Sequence, residues 1–250
     1  MAKQLIPFDN YPDLGYVDTS KPFLRVSEFF RDSIQGEGMY AGMPATFLRL
    51  QGCHVGCKWC DTTEVWRQGC AYSVEQLVNL CEQNKDMVLN QHFVITGGSP
   101  LLQQDYLVVF MEELWKHNIQ PFFELETEGT ILPRVALQKY IRCWNVSPKL
   151  SNSGVPTHVR YNPTKLKTFA NLRVAWFKFV VDNETDWREI QIDFLDTSII
   201  GKYQIILMPQ GATKEELNLN RERVIEMAVR HGVRYSDRLQ IVAWDKKIGV

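Results

Sequence analysis

Short apolar runs alternate with amphipathic stretches along most of this chain. The runs are bounded by glycine, proline or polar residues, a pattern typical of buried β-strands. The predicted strands are 24–30, 46–50, 92–96, 121–126, 141–146, 176–181 and 204–208. Because helical stretches separate several of them, the order indicates a parallel sheet with right-handed crossovers.

The stretches between and after these strands predict several helices. Ser73-Val74-Glu75-Gln76 has the form of a capping box, and the apolar residues after it recur on one helix face. A second helix is predicted over 103–117, a third after Pro133, and a longer one from Thr213-Lys214-Glu215-Glu216. The charged residues of 214–231 are interpreted as solvated helix surface rather than as a binding site.

This element order predicts an α/β fold with a mostly parallel sheet and outer helices, closed or nearly closed into a TIM-like barrel. The repeats are too few for eight complete units, so the barrel is expected to be partial (incomplete). Residues 1–22 are rich in Pro, Asp and Tyr and lack periodicity, which indicates an N-terminal arm. Residues 23–250 are expected to form a single domain.

The composition is that of an ordinary globular protein, since 45% of the 250 residues are hydrophobic and 23% are charged. The formal net charge is −1 and the Lys and Arg residues are scattered, which disfavours nucleic acid as a ligand and favours a small substrate. The first residues lack the unbroken apolar region of a signal peptide, and no window reaches membrane-spanning length. We therefore expect a cytoplasmic protein without membrane contact.

The candidate chemistry is concentrated in residues 35–66, which contain three closely spaced cysteines. Cys53, Cys57 and Cys60 form a C-x3-C-x2-C motif with glycines beside the cysteines, so one loop can direct three thiolates inward. A structural zinc site and an electron-transfer cubane each take four protein ligands. Three thiolates therefore predict an iron–sulfur centre with one iron open to another ligand.

A zinc knuckle with His54 as the fourth ligand is the alternative for this loop. Adjacent residues Cys53 and His54 would both have to turn toward one metal, and no second Cys or His pair completes the set. Cys70, Cys81 and Cys143 are predicted not to be ligands. Cys81 falls on an apolar helix face and Cys143 within a strand, where thiols behave as small hydrophobes.

The cysteine motif, followed by the aromatic neighbour Trp59, resembles the cluster loop of the radical S-adenosylmethionine (SAM) superfamily. More narrowly, several motifs resemble those of the QueE-type 7-carboxy-7-deazaguanine synthase family. These motifs are Gln35-Gly36-Glu37-Gly38, Arg49, Gly52-Cys53, Trp59-Cys60-Asp61-Thr62, Thr96-Gly97-Gly98 and Ser147-Pro148-Lys149. The resemblance implies a 4Fe-4S cluster on the three cysteines, SAM on the fourth iron, and a partial barrel of the radical SAM type with its site at the C-terminal ends of the strands.

Twelve residues are implied by this resemblance to bind the cofactor. They are Lys58, Trp59, Gly97, Gly98, Ser99, Ser147, Pro148, Lys149, Met208, Pro209, Gln210 and Gly211. Glycine suits close backbone approach because it has no Cβ, and a serine hydroxyl and a lysine ammonium suit ribose and carboxylate oxygens. Ser99 departs from the family pattern, because many relatives carry Glu there and serine supplies no charge.

The resemblance also implies a substrate subsite and a magnesium ligand. The substrate residues are Ile34, Gln35, Gly36, Glu37, Arg49, Thr96 and the terminal carboxylate of Val250. Arg49 offers a planar fork that matches a carboxylate. Thr62 is the expected Mg²⁺ ligand, with water and substrate oxygens completing the shell. Glu124, Glu126 and Glu128, along and beyond one predicted strand, are further candidates among which the pattern does not choose.

The implied reaction converts 6-carboxy-5,6,7,8-tetrahydropterin to 7-carboxy-7-deazaguanine with loss of ammonia, in queuosine-type deazapurine biosynthesis. The implied partners are the pterin, an electron donor such as flavodoxin or ferredoxin, and a second copy of the chain in a homodimer. An activase of glycyl-radical enzymes is the alternative enzyme, because it shares the cluster loop. A non-catalytic zinc-binding adaptor is the alternative from a different class.

Overall fold

In the computed structural model, which describes residues 4–6 and 20–247, ten β-strands form one mixed sheet. The strands are β1 (Gln4–Ile6), β2 (Phe23–Ile34), β3 (Pro44–Leu50), β4 (Cys70–Ser73), β5 (His92–Gly97), β6 (Phe122–Thr127), β7 (Ile141–Val146), β8 (Ala175–Val181), β9 (Ile205–Pro209) and β10 (Arg234–Tyr235). Their order is β1-β2-β3-β5-β6-β7-β8-β9-β10, with β4 paired to β2. From β3 to β10 the neighbours along this path are parallel, whereas β1, β3 and β4 each pair antiparallel with β2. The mostly parallel α/β fold predicted from the sequence is confirmed, as an open sheet.

Helices connect the parallel strands, as the alternating pattern predicts. They are α1 (Val74–Gln83), α2 (Lys85–Asn90), α3 (Gln104–Lys116), α4 (Val135–Gln138), α5 (Thr157–Arg160), α6 (Pro163–Ala170), α7 (Glu184–Ile190), α8 (Lys214–His231) and α9 (Leu239–Trp244). The capping box of α1 is confirmed, because the Ser73 hydroxyl accepts the Gln76 N–H at 3.1 Å and the Gln76 side chain accepts the Ser73 N–H at 2.8 Å. Thr213 caps α8 by accepting the Glu216 N–H at 3.1 Å.

The core lies between the sheet and its helices. Strands β5 and β9 are buried almost end to end, as expected for parallel strands covered on both faces. Phe93, Phe123 and Phe177 are fully buried, and each such side chain contributes about 1.5–3 kcal/mol. Cys81 and Cys143 are also fully buried, as predicted for thiols that pack as hydrophobes.

Several elements differ from the sequence prediction. Strand β2 continues to Ile34, so the predicted end at residue 30 is wrong. The pairing register shifts between Phe30 and Ser33, and this irregularity accommodates polar residues that interrupt the apolar alternation. The edge strand β4 and the short helices α2 and α5 to α7 were not predicted, because short elements carry few apolar positions.

The predicted N-terminal arm lies mostly outside the described residues. Of that segment, Gln4–Ile6 forms β1, which pairs antiparallel with β2. Among the residues that the structure describes, no helix is long and apolar enough to cross a bilayer.

Candidate functional site

A cavity of about 980 Å³ opens at the C-terminal ends of the parallel strands. Its lining includes Gly97 at the end of β5, Glu126 near the end of β6, Ser147 after β7 and Met208 near the end of β9. Parallel strands bring these ends to one edge of the sheet, which is where binding sites form in α/β folds. The strand ends therefore gather residues from distant parts of the chain around one space.

The three cysteines of the predicted cluster loop line this cavity as free thiols. The loop is held by backbone hydrogen bonds, from Lys58 N–H to the Ser153 carbonyl at 3.0 Å and from Gly52 N–H to the Val65 carbonyl at 3.1 Å. Burial raises the pKa of the Cys57 thiol, although the ammonium of Lys149 acts in the opposite direction. Binding to iron requires the thiolate, so loading a cluster releases this proton.

Polar groups of the protein lie within hydrogen-bond distance of the sulfurs of Cys53 and Cys60. The Val55 N–H donates to Cys53 Sγ at 3.5 Å, and the Ser99 hydroxyl donates to the same sulfur at 3.7 Å. The Thr62 hydroxyl lies 3.8 Å from Cys60 Sγ. Donors of this kind stabilise thiolate ligands and tune a cluster. The loop therefore fits a cluster held by three cysteines.

Two glycines let the β5 turn approach the cysteine loop. A Cβ on Gly98 would lie 2.4 Å from the Gly52 carbonyl oxygen and 2.5 Å from Cys53 Cβ. A Cβ on Gly97, whose φ is +149°, would lie 2.2 Å from the Leu50 carbonyl oxygen. Both contacts are too close for any side chain, so this turn requires glycine.

Lys149, Ser147 and Trp59 lie together beside the cluster loop. The Lys149 ammonium donates to the Ser147 hydroxyl at 3.1 Å and lies 5.6 Å from the centroid of the Trp59 ring. The Trp59 indole donates to the Asn152 carbonyl at 3.1 Å, which fixes the ring. A cationic side chain with these neutral partners can bind an anionic group of a ligand.

Most of the other predicted cofactor residues also reach the cavity. Gly97, Gly98, Met208, Gln210 and Gly211 line it. Four do not, because Lys58 is exposed beside Gly154, and Ser99, Pro148 and Pro209 are buried behind the lining.

The predicted substrate residues that the structure describes also line the cavity, and the two charged ones are already paired with other side chains. This set is Ile34, Gln35, Gly36, Glu37, Arg49 and Thr96. Arg49 donates through Nε to Glu28 at 2.6 Å, its cross-strand partner on β2. Because this bond uses Nε, the two terminal nitrogens keep the fork geometry. The predicted Val250 contact lies outside the described residues.

The carboxylate of Glu37, one of the predicted substrate residues, is held on both oxygens by side chains of the protein. Lys178 donates to Oε2, whereas Arg238 and Gln240 donate to Oε1 at 3.0 and 2.7 Å. These three partners were missed by the sequence analysis. One signal was present, since Lys178 interrupts the apolar strand β8 and a charge at a buried position needs a partner.

Glu126, one of the three candidate carboxylates, lines the cavity and accepts hydrogen bonds from neutral side chains. Gln35 donates to one of its oxygens at 3.3 Å and Thr96 to the other at 2.8 Å. Glu124 is fully buried behind it and hydrogen-bonds to His92 and Asn145. Glu128 also lines the cavity, where it accepts the Thr130 hydroxyl at 2.7 Å.

Comparison with known proteins identifies the family. Residues 34–147 match the family model described as a 4Fe-4S single cluster domain. The chain is 36% identical over 239 residues to 7-carboxy-7-deazaguanine synthase of Pyrobaculum aerophilum, covering 92% of this chain and 99% of that protein. This chain belongs to the 7-carboxy-7-deazaguanine synthase family. A relative of the same name from Halobacterium salinarum is 31% identical over 248 residues, covering 90% of this chain and 91% of that protein.

A solved structure of the family supports the same assignment. The crystal structure of QueE from Escherichia coli superposes with a TM-score of 0.66 at 26% identity, covering 87% of this chain and 94% of that chain. As a member of the 7-carboxy-7-deazaguanine synthase family, this protein is a radical SAM enzyme that uses a 4Fe-4S cluster and SAM. The resemblance stated from the cysteine loop and its neighbouring motifs is confirmed.

The zinc alternative does not fit the side chains near the loop. His54 Nε2 lies 2.8 Å from the Thr130 hydroxyl and 3.7 Å from a Glu128 oxygen. Within residues 4–6 and 20–247, no three His, Cys, Asp or Glu side chains are placed to hold a single metal ion. A cubane needs no such common point, because each cysteine binds a different iron. The family match likewise favours this enzyme family over a glycyl-radical activase.

The positive charges of Lys178 and Arg238 lower the pKa values of two acids in this part of the site, Glu37 and Asp61. Burial would raise the pKa of Glu37, but Lys178 and Arg238 outweigh it and hold the pKa below its ordinary value. Burial would also raise the pKa of Asp61, but the adjacent Arg238 outweighs burial and holds this pKa below its ordinary value. Both acids therefore stay ionised in the folded protein to a lower pH than in the unfolded chain.

These lowered pKa values predict an acid-dependent loss of stability. A carboxylate with a depressed folded-state pKa stabilises the fold above its unfolded pKa, near 4 for Asp and Glu, and this contribution is lost as the pH falls through the folded-state value. We expect the free energy of unfolding, from urea titrations before cluster reconstitution, to fall between about pH 5 and pH 3. The variant Glu37→Gln should be less stable than the native protein at pH 7 but should lose less stability over this interval. An equal loss of unfolding free energy in both proteins would contradict the lowered pKa of Glu37.

Proposed function

We propose that this protein converts 6-carboxy-5,6,7,8-tetrahydropterin to 7-carboxy-7-deazaguanine, with loss of ammonia, in queuosine-type deazapurine biosynthesis. The observation that carries the proposal is the 36% identity, over nearly the whole of both chains, to a relative of that name. The cavity supports it, because its wall combines a three-cysteine loop with charged and amide side chains suited to a polar, flat substrate.

In this proposal, Cys53, Cys57 and Cys60 hold the cluster. Bound cluster and SAM supply one-electron chemistry that removes a hydrogen atom from the substrate. Lys149 and Ser147 bind carboxylate and hydroxyl oxygens of the cosubstrate, and the two glycines after β5 allow its close approach. Ser99, which lies behind the lining, acts by holding the loop through its bonds to the Gly52 carbonyl and the Cys53 sulfur.

The substrate is held by residues from several strands. Glu126 accepts hydrogen bonds from the aminopyrimidine edge, since Gln35 and Thr96 orient its carboxylate without neutralising its charge. The terminal nitrogens of Arg49 bind the substrate carboxylate, while Glu28 fixes the side chain. Fixing the substrate in one pose is the main contribution of these residues to the rate.

The variant Glu126→Gln tests this substrate subsite. It keeps the size of the side chain but removes the charge that strengthens the hydrogen bonds from substrate. Hydrogen bonds to a charged group contribute about 1.5–3 kcal/mol, so KM for the pterin should rise about 10- to 100-fold. The affinity for SAM, measured by equilibrium binding, should stay unchanged. Glu113→Gln, on the outer helix α3, is the control, and an unchanged KM in Glu126→Gln would exclude this role.

Magnesium, partners and location complete the proposal. Thr62 binds Mg²⁺ together with substrate oxygens, so the ion arrives with the substrate; its hydroxyl does not cap the 3-10 turn Thr63–Trp66. The carboxylate of Val250 reaches the substrate. The electron donor is flavodoxin or ferredoxin, and the protein acts as a cytoplasmic homodimer, with residues 23–250 as one domain.

Anaerobic reconstitution tests the function directly. The protein is loaded with iron and sulfide, then incubated with SAM, dithionite, Mg²⁺ and the carboxypterin. We expect 5′-deoxyadenosine and a product lighter than the pterin by one ammonia. Reductive SAM cleavage without any change in the pterin would refute the substrate assignment. Metal analysis of the anaerobically purified protein, before loading, is a second test, and zinc without iron or sulfide would refute the radical chemistry.

A further inference from the structure

The guanidinium of Arg238 joins three segments of the cavity wall. It donates to Glu37 Oε1 at 3.0 Å, to an Asp61 carboxylate oxygen and to the Gly211 carbonyl. Its side chain is only 12% exposed, and Lys178 binds the second oxygen of Glu37. The cluster of two acids and two bases is therefore balanced in charge within the wall.

Each of the three segments carries residues proposed for a different ligand. Asp61 stands between the cluster ligand Cys60 and the magnesium residue Thr62. Glu37 is one of the substrate residues, and Gly211 is the last of the residues implied to bind the cofactor. These partners are separated from Arg238 by 177, 201 and 27 residues in the chain. A planar fork of fixed donors can hold three such groups in one geometry, which a lysine ammonium cannot reproduce.

We propose that Arg238 is a positioning residue that sets the distance between the cosubstrate and substrate subsites, an inference that rests on the proposed function. Hydrogen transfer requires donor and acceptor atoms in near contact, and a misplacement of about 1 Å can cost about 10²-fold in rate. Arg238 touches the supports of both subsites rather than the reacting atoms.

The variant Arg238→Gln should therefore uncouple the two halves of the reaction. SAM cleavage should continue, because the three cysteines are unchanged. A smaller fraction of the cleavage events should lead to removal of a hydrogen atom from the pterin. We expect the ratio of product to 5′-deoxyadenosine to fall about 10-fold or more, with iron content unchanged. Arg238→Lys, which keeps the charge but not the fork, should give an intermediate ratio.

Arg221→Gln is the matched control. Arg221 on α8 forms an ion pair with Asp237 at 2.7 Å, so it ties down the same C-terminal segment without lining the cavity. This variant should keep the native ratio. Equal reductions of product and 5′-deoxyadenosine in Arg238→Gln, or a loss of bound iron, would assign Arg238 a purely structural role and overturn the proposal.

Hydrogen exchange tests the same idea without any substrate. The amides of Val65 and Arg67 donate to Thr62 and Glu64 carbonyls in the turn after Asp61. In Arg238→Gln, exchange of this peptide should accelerate by about 10-fold, and in Arg221→Gln it should not. If the native enzyme forms no deazaguanine but the exchange result holds, only the proposed substrate is wrong; an unchanged exchange rate would overturn the positioning role.

Discussion

Replacing Cys57 with alanine is expected to abolish 5′-deoxyadenosine formation in the reconstituted enzyme. Cys57 is the middle of three free thiols that line the cavity, and a cluster held by two cysteines has lost a third of its protein ligands. The protein should also bind less iron and sulfide after anaerobic reconstitution. Both quantities are measured on the same sample, by metal analysis and by chromatography of the reaction mixture.

Cys81→Ala is the matched control for this prediction. Cys81 is a free, fully buried thiol on α1, and burial alone raises its pKa well above the ordinary value, so it remains a neutral hydrophobe. Its removal should cost about 1 kcal/mol of stability and leave SAM cleavage largely intact. Comparable losses of cleavage in two soluble, folded variants would argue against the three-cysteine ligand set.

Gly98→Ala is expected to have the second largest effect. Its new methyl group would lie 2.4 Å from the Gly52 carbonyl and 2.5 Å from Cys53 Cβ, and neither neighbour is the end of a flexible side chain. The cluster loop must therefore move away from β5, carrying Cys53 with it. We expect a loss of SAM cleavage of about 10²-fold, as for other displacements near 1 Å. Equilibrium binding should show weaker SAM affinity in the same variant.

Gly56→Ala separates this steric effect from backbone strain. Gly56 lies in the same loop with a φ of +73°, but an added Cβ would meet no atom within 4 Å. The left-handed conformation costs about 1–2 kcal/mol for alanine, so stability should fall modestly while the cluster still binds. If Gly98→Ala were as mild as Gly56→Ala, the close approach of the β5 turn would not be needed for the site.

The fold and half of the site follow from local patterns in the sequence. The apolar runs place β5, β6 and β7 within a residue or two of their observed bounds, because short, largely apolar runs between turn residues are typical of buried strands. The cysteine spacing and the glycine pair lie within single loops, so the sequence displays them directly. These features depend on residues that are close in the chain.

The other half of the site depends on pairs of residues that are distant in the chain. Arg49 was predicted to offer a planar fork to a carboxylate, but its Nε bond to Glu28 was not predicted, because it depends on the register of β2 and β3 that places the two residues opposite each other. Glu37 was predicted to be a substrate residue, but its ion pairs with a residue of β8 and a residue of the turn before α9 were not predicted. Neither pairing can be found until the strands have been arranged in order.

The bonds from Arg238 and Gln240 to Glu37 span 201 and 203 residues, and Leu239 N–H also donates to the Gly36 carbonyl at 3.0 Å. Contacts between such remote positions form late, since a long loop must close before they can contribute. During translation, a nascent chain that already carries its three cysteines lacks this part of the wall until the ribosome has passed Gln240.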